Sequence, residues 1–191
     1  MPSMVHSPTH FRPFSTDRPQ ITRLTCDNAR VDKHFLHKRS DPQGNFILFA
    51  EDHGATVELF VRMMRADGIE NEVVVARDGS EALDYPLGSG GDGAASPSLV
   101  VLDIGMPRVD GLEVLRRIRA DQRTELLPVV VLSANDGISE VSRAYRLGAN
   151  GFVSKLSDTS PFHELVPLMV RYWLYANTPA IGLPGQTIGS P

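Results

Sequence analysis

Five residues of this chain make a chemical site only if the fold gathers them: the acidic pair Glu51-Asp52, then Asp103, Ser133 and Lys155. Each follows a short apolar run: FILFA before the pair, LVVL before Asp103, VVVL before Ser133 and GFVS before Lys155. Singly, each has an ordinary explanation as a helix cap, a solvated turn residue or a surface lysine. Gathered, they suggest more. Three carboxylates in one pocket raise each other's pKa, and a divalent cation removes the conflict. Oxygen-only ligands select a hard ion. Mg2+ suits one or two carboxylates plus a phosphate oxygen. A lysine is a point charge for a phosphoryl oxygen, and a carboxylate can itself be the nucleophile. The chemistry these residues suggest is Mg2+-assisted phosphoryl transfer to one aspartate.

The elements that must position them can be read from hydrophobic pattern. Strands are expected at 46–50, 72–76, 98–103, 128–133 and 151–155, all short and nearly all apolar. Helices are expected at 56–68, 80–85, 111–121, 139–148 and roughly 159–176. The first shows Val57, Phe60, Val61 and Met64 at helical spacing before Gly68, and the third has Leu112, Leu115 and Ile118 on one face behind an Asp110 N-cap. Pro167 sits inside the last helix and is expected to kink it. Strand and helix alternate five times. Apolar strands of this kind are buried on both faces, so the class is α/β with a parallel, doubly wound sheet. Such sheets bind ligands at the carboxyl ends of their strands, which is where the five residues lie.

Composition narrows the function. The 191 residues carry a net charge of -4 and 41% hydrophobic residues, which supports a core and gives no reason to expect nucleic-acid binding. One cysteine, Cys26, excludes an internal disulfide and fits a reducing compartment. No apolar run reaches 18 residues and the N-terminus has no apolar signal region, so the expected location is cytoplasmic, without membrane contact. Residues 1–45 hold seven basic against four acidic residues with no periodic pattern, and read as a disordered or loosely attached extension. His34 and His37 stand at helical spacing, but nothing completes a metal site around them. The folded unit is expected at 46–177, with a tail over 178–191. GSGGDG at 88–93 matches a dinucleotide-binding pattern literally, but it follows a helix rather than a strand and reads as a flexible loop.

With these residues in place, the sequence resembles the response regulator receiver family of bacterial two-component signalling over about residues 45–177. Asp103 and Ser133 are 30 residues apart and Ser133 and Lys155 are 22 apart, both as in that family. The resemblance implies a flavodoxin-like, five-stranded sheet of order 2-1-3-4-5 with five flanking helices. It implies Asp103 as phosphoacceptor. Asp52, Asp103 and the Gly105 carbonyl would be Mg2+ ligands, with Glu51 acting through water. Ser133 and Lys155 would bind the phosphoryl group, and Phe152 would be the aromatic switch residue. Leu156 departs from the family, which usually has a proline joined by a cis bond after the lysine. A non-proline cis bond costs about 2.5–4 kcal/mol, so a trans bond or a relaxed loop is expected.

Within the family the chain is most similar to single-domain receivers associated with bacterial phytochromes. The signs are Glu51-Asp52, the long loop before the third strand, and Arg171-Tyr172-Trp173-Leu174 near the end of the last helix. That likeness implies a stand-alone regulator phosphorylated by a sensor histidine kinase, a bacteriophytochrome among the candidates. Its switching face would be the fourth helix, fifth strand and fifth helix, with Tyr172 and Trp173 as the candidate surface for a homodimer. Such a protein is not an enzyme beyond its own dephosphorylation. The rival readings are a pseudo-receiver that never takes phosphate and an aspartate-nucleophile phosphatase. Those phosphatases use Asp-x-Asp, whereas Gly105 stands at the second position here.

Overall fold

A computed structural model describes residues 23–24, 46–85, 96–156 and 162–178. The apolar runs form strands β2 (Phe46–Ala50), β3 (Glu72–Ala76), β4 (Leu99–Asp103), β5 (Val129–Ser133) and β6 (Gly151–Ser154). All neighbouring pairs among these five are parallel, in the order β3-β2-β4-β5-β6. The expected five-stranded order therefore holds. One element is added: β1 (Arg23–Leu24) pairs antiparallel with the outer edge of β3, Arg23 opposite Val74 and Leu24 opposite Val73. The expectation that residues 1–45 lie apart from the fold otherwise concerns residues outside those described, as do His34, His37, the 88–93 loop and the 178–191 tail beyond Thr178.

Helices α1 (Gly54–Ala66), α2 (Gly79–Asp84), α3 (Gly111–Ala120), α4 (Ile138–Arg146) and α5 (Phe162–Arg171) cover both faces. Side chains alternate along a strand, and the core divides accordingly. Ile47, Phe49, Val101, Val130 and Leu132 pack with α1 and α5. Leu48, Val100, Leu102, Val129 and Val131 pack with α2, α3 and Ala144 of α4. Phe49 stacks on Phe60 of α1 with centroids 4.1 Å apart, a pairing worth about 0.5–1.5 kcal/mol beyond its buried area.

Helix α5 runs through buried Pro167 and passes into a π-helical turn at Tyr172–Ala176, where the sequence reading continues the same helix to about residue 176. Proline removes one main-chain donor from the ladder. The turn is tied down at its ends: Arg171 pairs with Asp67, and the Tyr175 hydroxyl donates to Asn71 at 2.8 Å. Among the described residues no helix is long and apolar enough to cross a membrane.

Candidate functional site

The parallel register carries four strand ends to one edge of the sheet. Beyond Ala50 the ladder continues for one bond, from the Glu51 N–H to the Ala76 carbonyl at 2.9 Å, and the chain then turns through Asp52 and His53 into α1. Asp103 closes β4 opposite Leu132, and Ser133 closes β5 opposite Ser154. The Lys155 N–H donates to the Ser133 carbonyl at 2.8 Å, which keeps the lysine in line with the sheet.

Glu51, Asp52 and Asp103 offer carboxylate oxygens that all lie within 4.8 Å of one another. Glu51 and Asp103 are buried, and Asp52 is exposed at the rim. The Lys155 ammonium lies between the two buried carboxylates, 2.7 Å from Glu51 Oε2 and 2.9 Å from Asp103 Oδ1. Burial pushes the Glu51 carboxyl up, and its bond to Lys155 only partly offsets this. Burial pulls the Lys155 ammonium down, but the bonds from Glu51 and Asp103 outweigh it and leave it raised and charged. Gly105 lies alongside Asp103: a Cβ added there would be 3.7 Å from Asp103 Oδ2. Three oxygen donors with a single cation between them fit a small hard ion.

Leu156 does not displace the lysine. Among the described residues no peptide bond is cis, and the Leu156 N–H donates to Ser154 Oγ at 3.2 Å. Lys155 reaches both carboxylates regardless.

Ser133 is buried beside this pocket, but its hydroxyl points elsewhere. It donates to Glu140 Oε1 at 2.7 Å and accepts from the Asn135 N–H at 3.0 Å. Glu140 is a residue that the motif spacing did not single out. The only signal it leaves in sequence is a glutamate three residues past an N-cap glycine, Gly137, which has no side chain to cap with. Phe152 is half-buried, packed against the layer that holds α2 and α3. Tyr172 and Trp173 separate: their rings meet edge to face at 5.2 Å, with Tyr172 exposed and Trp173 packed on the layer that holds α1 and α5.

The family model described as the response regulator receiver domain matches residues 47–166. The probable methanogenesis regulatory protein FilR2 of Methanothrix harundinacea (strain 6Ac) is 34% identical over 67% of this chain and 83% of its own length. The response regulator Rcp1 of Synechocystis is 29% identical over 67% of this chain and 88% of its own. The crystal structure of its Mn2+-bound form superposes with a TM-score of 0.64 at 28% identity, over 72% of this chain and 99% of that one. The bacteriophytochrome response regulator AtBRR matches with a TM-score of 0.56 at 33% identity, over 73% of this chain and all of the other. This chain belongs to the response regulator receiver domain family.

Proposed function

We propose that Asp103 accepts a phosphoryl group from the phosphohistidine of a sensor kinase, and that this shifts the face formed by α4, β6 and α5. The observation that carries the reading is the meeting of three carboxylates within 4.8 Å, with the Lys155 ammonium 2.9 Å from Asp103. Asp103 Oδ attacks phosphorus, the phosphorus–nitrogen bond breaks, and the imidazole leaves. Asp52, Asp103 and the Gly105 carbonyl would hold Mg2+, with Glu51 behind them. When bound, the ion supplies positive charge against the charge gathering on the transferred group. Lys155 then has a phosphoryl oxygen to bind in place of Asp103 Oδ1, and Ser133 donates to another. Both residues stand on strand ends that lead into loops of the α4-β6-α5 side, so the adduct favours one arrangement of that side.

The Mn2+-bound form of Rcp1 supports the metal assignment, and the bacteriophytochrome regulators among the structural neighbours support a phytochrome-type kinase as donor. Exposed Tyr145 and Tyr172 on α4 and at the end of α5 support this side as a contact surface, for a second copy or another protein. Incubating the chain with Mg2+ and a small phosphodonor and weighing it intact tests the reading. One phosphate adduct is expected, absent from Asp103→Asn and absent with chelator. No adduct from a small donor or from any phytochrome-type kinase would leave a pure interaction module. Light scattering with and without the adduct reads the oligomeric state, and a monomer in both removes the homodimer.

A further inference from the structure

Among the helices whose N-cap is described, three carry a glutamate three residues after it: Glu81 in α2, Glu113 in α3 and Glu140 in α4. The first two serve their own helix ends. Glu81 accepts from the Arg77 N–H at 2.7 Å, and Glu113 pairs with Arg116 and Arg117 of α3 at 2.7 and 2.8 Å. Glu140 does neither. The bond that a capping glutamate would make, to the N-cap N–H, is made by Asn135 instead: its Oδ1 accepts from Gly137 at 3.1 Å. Glu140 thus turns back to the strand end, taking the Ser133 hydroxyl on one oxygen at 2.7 Å and the Asn135 amide on the other at 3.2 Å.

Ser133 is 5% exposed. A buried hydroxyl needs a partner, and it has only one proton to donate. The proton given to Glu140 is unavailable to a phosphoryl group on Asp103. The two acceptors therefore compete, and the loser is attached to the first turn of α4. Little else secures that turn. Ala144 is the only buried residue of α4, no side chain caps the helix, and the loop before it is exposed from Ala134 to Gly137. A further tie runs from Ser154 Oγ to Asp136 Oδ2, at 3.0 Å.

We propose that Glu140 is a positioning residue that holds the Ser133 hydroxyl away from the phosphoryl site, so that release of Glu140 couples phosphorylation to the start of α4. The proposal rests on the reading of Asp103 as phosphoacceptor and Ser133 as its hydroxyl partner. Glu140 opposes the active arrangement, and its loss favours that arrangement.

The test is calorimetric titration of the full chain with beryllofluoride, a phosphoryl mimic, in the presence of Mg2+. Glu140→Ala is expected to bind it about tenfold more tightly, the low end of the worth of one hydrogen bond to a charged acceptor, as suits one that is partly solvated. Glu140→Gln should fall between, because a neutral amide oxygen still accepts, but more weakly. In a Ser133→Ala background the Glu140 substitutions should change nothing. A merely structural cap would lower the urea midpoint without this Ser133-dependent gain. Unchanged or weaker binding by both Glu140 variants overturns the proposal, as does an equal gain in the Ser133→Ala background. If Glu140→Ala fails to fold, Glu140→Gln decides. Failure of the underlying reading looks different: the unsubstituted chain would not bind beryllofluoride, or Asp103→Asn would bind it equally well.

Discussion

The loops after β4 and β5 leave neighbouring strands at the same edge of the sheet, yet they are built in opposite ways. The β4–α3 loop is locked. Buried Met106 folds back under it, Asp110 caps α3 through the Glu113 N–H at 2.9 Å, and the main chain at Gly111 lies hard against Asp103. Arg108 is held in the left-handed region at φ 64°, with its guanidinium 3.0 Å from buried Asp78, the cap of α2. A non-glycine residue stays in that region only where its surroundings impose it. The β5–α4 loop has no comparable anchor. Its residues are exposed, its helix is uncapped, and its ties are side-chain bonds that can be exchanged. The proposed acceptor carboxylate ends the strand that leads into the fixed loop, and its proposed hydroxyl partner ends the strand that leads into the loose one. A site that must hold a reacting group in place and also report on it needs both kinds of loop.

The sharpest way to break this contrast is with a methyl group. A Cβ at Gly111 would lie 2.0 Å from the Asp103 carbonyl oxygen, and one at Gly79 would lie 2.0 Å from that of Val109. Neither neighbour is a flexible side chain. Gly111→Ala is expected to cost about 3 kcal/mol or more, read as a fall in the urea midpoint. At Gly137, before α4, the nearest atom would be the Asn135 side-chain oxygen at 3.1 Å. Gly137→Ala should cost about 1 kcal/mol or less, the difference between glycine and alanine at an N-cap. Equal losses at the two positions would erase the distinction between the loops.

Metal binding sharpens it next. The proposed ligands stand at the ends of β2 and β4 and just beyond them, and none belongs to the β5–α4 loop. Saturating Mg2+, at a hundred times its dissociation constant, should stabilise the fold by about 2.7 kcal/mol, seen as a rise in melting temperature that Asp52→Asn reduces. Hydrogen exchange should slow around residues 51–54 and 103–111 and stay unchanged over 134–142. Protection spreading to α4 with the metal alone would mean that the loops are already coupled before phosphorylation.

Much of this was legible in the sequence, for identifiable reasons. Strands buried on both faces leave unbroken apolar runs, so β2 to β5 could be placed within a residue or so. A parallel sheet brings carboxyl ends together, so Asp103 and Lys155 could be grouped without coordinates. β1 was not legible. Two residues in an aperiodic stretch have no pattern of their own, and their strand state comes from the open edge of β3. Nor was Glu140. Seven residues beyond Ser133, it reaches the hydroxyl only because the chain enters α4 through Gly137 at φ −56°, ψ 138°. Such an angle is a property of the packed loop, not of any spacing. The family resemblance, not spacing, groups Tyr172 and Trp173 as one surface; neighbours on a helix do not share a face, and the rings divide accordingly, Tyr172 outward and Trp173 inward.

Smaller effects separate the two helix starts. Asp110→Ala removes a cap bond that α4 never had, and should cost about 1 kcal/mol, with little change in beryllofluoride affinity.

Glu113 and Glu140 give the finest comparison, since both occupy the third position of their helices. The arginines beside Glu113 hold its carboxyl down at about 2, from an ordinary 4.5. A depressed folded pKa means stability that is present above pH 4.5 and lost as the pH falls through about 2. The urea midpoint of Glu113→Gln should therefore lie below that of the unsubstituted chain at pH 7, and the gap should close as the pH approaches 2. The pair is exposed, so the gap is small and should shrink further in high salt. Glu113→Gln should leave the affinity for beryllofluoride alone, because the Glu113 carboxylate pairs with Arg116 and Arg117 of its own helix. Glu140→Gln should raise that affinity through Ser133. If Glu113→Gln changed the affinity as much as Glu140→Gln, the effect would belong to helix charge in general, and the loose loop would lose its special claim on the switch.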